Sequence, residues 1–147
     1  MRDERGQTTV MIVGFAFILL VLIAVVTDAS AAYLQRSGLD TIADGAALTG
    51  ADEGLDLGAA YQNGVGDEPQ LDPGAARAAI ERYLQETGAY ARYPSLKVRA
   101  DVAGNEVTVH VTAPLDLPLD VPGVQSTATI GATGSAVLHP VPSQPVP

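Results

Sequence analysis

The side chains in this 147-residue chain best suited to chemistry are two histidines, a scatter of carboxylates and some hydroxyls, because it contains no cysteine. Thiolate catalysis, cysteine-held metals and disulfide staples are therefore excluded. His110 falls on the outward face of an alternating segment and His139 lies in a proline-rich tail. Two histidines so placed do not form a metal-ligand pattern. Serine, histidine and aspartate all occur, but no motif sets a nucleophile on a sharp turn beside a base. Asp52, Glu53, Asp56, Asp67, Glu68 and Asp72 crowd one stretch. Their spacing does not fit a calcium loop, and a solvated acidic loop is the simpler reading. The glycines are scattered among acids, which would repel a phosphate. No enzyme, cofactor, metal site or small-molecule substrate is expected.

The element that must position everything else is Thr8–Thr27, TTVMIVGFAFILLVLIAVVT. No charge occurs between Arg5 and Asp28. About 20 helical residues, rising ~1.5 Å each, cross a ~30 Å hydrocarbon core. The apolar residues occupy every side of the helix, unlike the single stripe of a soluble core helix. Residues 8–27 are read as one transmembrane helix, with 1–7 as a cytoplasmic stub. Asp28 then reads as an interfacial residue ending the span rather than a proton relay. Gly14, Ala24, Ala29 and Ala32 are small enough to allow close helix packing in the membrane, although no GxxxG is present.

Arg2 and Arg5 lie close on the N side of the span and only Arg36 on the C side, which places the N-terminus in the cytoplasm and the bulk outside. Net charge is −9. An acidic domain of this kind repels nucleic acid, so the expected partner is a lipid bilayer through the span and not a nucleic acid. A cleaved secretory signal, cut at Ala29-Ser30-Ala31, is the competing reading. The apolar run Val10–Val26 is longer than the usual ~7–15 residues of such a signal, and Asp28 crowds the cut.

Residues 28–50 contain no proline and continue the helix. Leu39, Ile42, Ala43, Ala46 and Ala47 recur at helical spacing, with Asp40, Asp44 and Arg36 off that face. Gly38 and Gly45 each weaken the helix by ~1 kcal/mol relative to alanine. The exposed apolar stripe needs cover, either from this chain's own domain or from a neighbouring subunit, and its five residues are the candidate assembly interface.

Residues 51–138 are expected to form a small extracytoplasmic α+β domain. Its first part, 51–72, reads as loop. Asp72 caps a second helix, Pro73 suits its first turn and Gly88 its end, with Ala76, Ala79, Ile80, Tyr83 and Leu84 on one face. Leu96–Val102 and Val107–Ala113 alternate strictly around Gly104-Asn105, a two-residue turn with glycine first. That loop pairs Val102 with Val107, Ala100 with Val109, Val98 with Val111 and Leu96 with Ala113, every inward residue meeting an inward one. Pro114–Gly123 is too proline-rich for a central strand, and its leucines, Leu115, Leu117 and Leu119, are free to dip against the domain or the membrane. Gln125–Leu138 reads as a third strand, and 139–147 as a proline-rich tail.

Several of these pieces together resemble a known family. Arg5-Gly6-Gln7-Thr8-Thr9 leads into the span, followed by Asp28, Tyr33-Leu34-Gln35-Arg36 and Ala43-Asp44-Gly45-Ala46-Ala47-Leu48. This is similar to the N-terminal module of TadE/TadG-like pilus-assembly proteins of the Tad (Flp, tight-adherence) system, most of all the short actinobacterial members. The resemblance implies a pilin-like α+β fold: an N-terminal transmembrane helix extended into a long amphipathic helix, a short helix and a small antiparallel sheet. It implies a single-pass protein of the bacterial cytoplasmic membrane that assembles or tethers a Tad-type pilus as a minor pilin or pseudopilin. Partners would be other pilin-like or Tad assembly proteins. Pilin-like substrates often carry glutamate five residues after the cleaved glycine; counted from Gly6 that position is Met11. Two alternatives remain: a membrane-tethered envelope binding module, and a secreted domain after cleavage at Ala31.

Overall fold

The computed structural model describes residues 4–55, 70–116 and 128–138. They form helix α1 (Glu4–Glu53), helix α2 (Pro73–Glu86), a single helical turn α3 (Ala89–Arg92), and strands β1 (Lys97–Ala103), β2 (Glu106–Pro114) and β3 (Thr129–Val137). The architecture is α+β, as expected. The chain divides into two compact units, Met1–Gln35 with Leu115–Thr127, and Arg36–Pro114 with Ala128–Pro147.

α1 runs for 50 residues without a break. It contains no proline to remove a hydrogen bond. Several of its hydroxyls bond back into the helix: Thr27 Oγ1 donates to the Ile23 carbonyl at 2.8 Å and Thr49 Oγ1 to the Gly45 carbonyl at 2.9 Å. In the first unit the large apolar side chains from Val10 to Val26 are all exposed. Past its last turn the chain differs from the expected loop at 51–72. Glu53 is still helical, and Leu55 bridges Leu71 in antiparallel fashion. The Gly54 carbonyl accepts from Asp72 N at 2.8 Å, so the start of α2 is tied to the end of α1. Residues 56–69 lie outside the described residues.

α2 begins where its cap dictates. Asp72 Oδ1 accepts from Gly74 N at 2.7 Å and Ala75 N at 3.3 Å, with Pro73 in the first turn. Gly88 stands at φ 67°, the left-handed conformation that ends a helix at least cost. Ala76, Ala79, Ile80 and Leu84 are buried and Tyr83 half-buried, the face expected from the spacing.

The sheet is antiparallel in the order β1-β2-β3. The hairpin register agrees with the alternation: Val98 opposite Val111, Ala100 opposite Val109, Val102 opposite Val107. Leu96 lies one residue before β1 and is buried. Gly104 takes φ 61° while Asn105 does not enter the left-handed region, as a turn with glycine first requires. The turn is also held from two sides. Asn105 Nδ2 donates to the Leu138 carbonyl and Leu138 N to the Asn105 carbonyl, both at 2.9 Å, while Leu71 N donates to the Gly104 carbonyl at 3.2 Å. β3 carries Ile130, Ala132, Gly134 and Ala136 on the inward parity. Residues 125–127 of the expected third strand, Leu117 and Leu119 of the proline-rich stretch, and the 139–147 tail lie outside the described residues.

The core sits between the sheet, α2 and the second half of α1. Leu39, Leu84, Val107, Val109 and Val111 are its largest fully buried side chains. Each such side chain contributes ~1.5–3 kcal/mol by leaving water. β3 approaches the helix so closely that a Cβ on Gly134 would collide with the backbone of Ala43 and Asp44. Backbone cannot swing aside as a flexible side chain can, so Gly134→Ala is expected to destabilise the domain by ~1–3 kcal/mol. Denaturant unfolding of the full chain in detergent, followed by far-UV circular dichroism, measures this. Gly14→Ala, with nothing among the described residues within 4 Å, should leave the transition unchanged.

Candidate functional site

The residues singled out by spacing fall on two parts of α1. The first is the apolar run. α1 contains a stretch long and apolar enough to cross a membrane, and none of that stretch is buried in the protein. Met11, Ile12, Phe15, Ala16 and Leu19 line a shallow apolar groove on its surface. Among the proposed packing residues, nothing among the described residues lies within 4 Å of a Cβ placed on Gly14, Ala29 is exposed, and Ala24 and Ala32 are half-buried. Asp28 is half-buried, and its Oδ1 is shielded from solvent without a hydrogen-bond partner. Gln35 closes this unit, accepting through Oε1 from Asp116 N at 3.0 Å.

The second part is the stripe beyond Arg36. Leu39, Ala43, Ala46 and Ala47 are 0% exposed and Ile42 is 8% exposed. All five belong to one core cluster with α2 and the sheet. Of the two covers that the stripe could take, this chain's own domain supplies one. The stripe is brought together with Ile80, Leu84, Val107, Val109 and Val111, and away from the surface.

How the cover fits depends on residues that the spacing did not single out. A Cβ on Gly38 would collide with the Tyr93 hydroxyl, and one on Gly45 with the Tyr83 hydroxyl. On Gly50 it would come within 2.8 Å of Ile80 Cγ1 and 3.3 Å of Val107 Cγ1. These glycines are notches in the helix surface into which the domain packs. A signal was available: Gly38 and Gly45 are seven residues apart, which puts them on one face of a helix. Their partners, two tyrosines far along the chain, could not be read that way. Outside the packed face, Arg82 pairs with Glu53 across the α2–α1 boundary, with both side chains half exposed.

The remaining polar groups lie on surfaces. Every buried side chain among the described residues is apolar. His110 projects from the outer face of the sheet, with Nδ1 2.9 Å from Thr133 Oγ1 and Nε2 3.9 Å from Asp101 Oδ2. Arg99 Nε donates to the same Asp101 oxygen at 3.2 Å. No set of three metal-capable side chains converges among the described residues. Tyr90 Oη donates to Glu81 Oε2 at 2.8 Å. Desolvation first, then the Glu81 carboxylate, pushes the Tyr90 hydroxyl up to about 12.

Against known proteins, residues 6–53 match the Tad family model, described as Flp pilus-assembly TadE/G-like. The match ends on the last residue of α1 and covers about a third of the chain. The family signature is therefore the helix itself, both its lipid-like run and the stripe that the domain covers. That family is one of pilus assembly rather than an enzyme family. No curated relative and no solved structure matches the chain.

The Tyr90 hydroxyl gives a pH signature of the native α2–α3 corner. Its folded value lies above the ordinary 10.0, so its contribution is complete below pH 10.0 and is lost as pH rises toward about 12. In a 295 nm titration of the full chain, the step removed by Tyr90→Phe should centre near about 12. Glu81→Gln should lower it only part-way, because desolvation remains.

Proposed function

We propose that this chain is a membrane-anchored, pilin-like protein that assembles or tethers a Tad-type pilus. The observation that carries the reading is the coincidence of the family match with one continuous helix, whose first part suits lipid and whose second part is a wall of the domain core. The first part holds the protein in the bacterial cytoplasmic membrane. Arg2 and Arg5 keep the N-terminus in the cytoplasm, which leaves the domain outside.

The burial of the stripe supports a division of work between the two halves. Leu39, Ile42, Ala43, Ala46 and Ala47 fasten the domain to the helix. A neighbouring subunit would have to displace the domain to reach them. The surface left for other pilin-like or Tad assembly proteins is the membrane run, with Gly14, Ala24, Ala29 and Ala32 as the points of closest helix approach. Partners on this reading are lipid and other single-span assembly proteins, with no nucleic acid and no small-molecule substrate.

Deleting the chain should remove surface pili, and Ile18→Arg should act similarly, since arginine at a span centre costs ~2.5–3.5 kcal/mol on insertion. Gly14→Leu separates anchoring from packing. The variant should remain in carbonate-washed membranes and bring down several-fold less of the other Tad proteins. Unchanged co-purification would remove Gly14 from the packing surface, and normal piliation of the deletion strain would overturn the pilus role.

A further inference from the structure

The open face of α1 stays uncharged for longer than its sequence does. Asp28 is the first charge after Arg5, yet it is half-buried and its Oδ1 is covered by the chain itself. Ala31, Ala32 and Gln35 share that side of the helix and are half-buried too. The side left open carries Thr27, Ala29, Ser30, Tyr33 and Leu34, none of them charged. Thr27 Oγ1 donates to the Ile23 carbonyl and Ser30 Oγ to the Val26 carbonyl, each at 2.8 Å. Both hydroxyls are thus served by the helix one turn back and need no water.

Tyr33 and Leu34 are 72% and 68% exposed, as open as Ile23 and Val26 in the apolar run at 61% and 58%. Tyr83 and Tyr93 fill glycine notches, and Tyr90 bonds to Glu81, so Tyr33 differs from these tyrosines in facing outward. Arg36, the next charge after Asp28, is exposed as well. Tyrosine concentrates where its ring meets acyl chains and its hydroxyl meets water, and arginine extends its charge from such a boundary toward the headgroups. Length agrees. At ~1.5 Å per residue, Arg5 and Leu34 stand ~43 Å apart along the helix. A bilayer with its headgroup regions measures ~40–45 Å, against ~30 Å for the hydrocarbon alone.

We propose that the lipid-facing side of α1 extends past Asp28, with Tyr33 and Leu34 seated in the headgroup–acyl boundary of the leaflet on the domain side and Arg36 among the lipid phosphates. The occupant is lipid because this face continues the exposed run Val10–Val26 with no charged residue on it before Arg36. The proposal rests on α1 crossing the membrane and is independent of the pilus role.

The chain contains no tryptophan and no cysteine, so one of either reports alone. Full-length Tyr33→Trp, Leu34→Trp and Leu48→Trp proteins are reconstituted in phosphatidylcholine vesicles, with and without bromines placed high on the acyl chains. Leu48, 57% exposed, is the aqueous reference. Tryptophan at 33 and 34 should emit to the blue of tryptophan at 48 and lose several-fold more emission to bromine. With no other protein present, that loss identifies lipid as the cover. Tryptophan itself favours the interface, so Leu34→Cys is compared with Leu48→Cys and should react several-fold more slowly with a charged maleimide. Quenching or maleimide rates equal to those at 48, in protein that floats with the vesicles, overturn the extended boundary and leave the anchor standing. Wild-type protein that does not float overturns the membrane reading and the boundary together.

Discussion

The structure depends on the close approach of the second half of α1 to the sheet and α2. That approach needs absent side chains. Gly38, Gly45 and Gly50 on the helix and Gly134 on β3 stand where a methyl group would meet a tyrosine ring, Ile80 or the helix backbone. Between the notches, Leu39, Ile42, Ala43, Ala46 and Ala47 complete a core whose other walls are β2 and α2. The helix is therefore a structural part of the domain. Without residues beyond Arg36, Val107, Val109 and Val111 would lose their cover, each at ~1.5–3 kcal/mol.

One helix thus presents two kinds of surface. From Val10 to Val26 its large side chains are exposed on all sides, a surface that water opposes and lipid accepts. From Leu39 onward the domain buries one side, Leu39, Ile42, Ala43, Ala46 and Ala47, while Leu48 on the far side stays exposed. An uninterrupted hydrogen-bond ladder joins the two halves with no proline between them. The family match follows this division, since it spans the helix and stops at Glu53. The domain that follows is bound to the signature helix by packing, while its outer sheet face, with His110, Asp101 and Thr133, stays polar and open.

Much of this was legible from residue order where a single period governed. The β1–β2 register follows from strict alternation about Gly104-Asn105, because a one-residue slip would turn every valine outward. The α2 boundaries follow from Asp72, Pro73 and Gly88, each chosen by local backbone chemistry. What was not legible depended on contacts between distant segments. Gly38 and Gly45 read as a cost of ~1 kcal/mol each to an isolated helix, whereas in the fold they admit Tyr93 and Tyr83. Asp52 and Glu53 read as loop, yet the helix continues through them and is tied off by the Leu55–Leu71 bridge and the Arg82–Glu53 pair. The stripe on 39–47 was recognisable as needing cover, but nothing in its spacing distinguishes a cover from the same chain and one from a neighbour.

The claim beneath all of this is that the mature protein keeps its whole helix, one half for lipid and one half for its own core. The intact mass of the protein purified from its native membrane tests it most directly. A mass that retains residues 8–27 is the predicted result, whether or not the first six residues are removed. A mass lacking the first 31 residues would show that the apolar run is a discarded signal, and the account of an anchored subunit would fail.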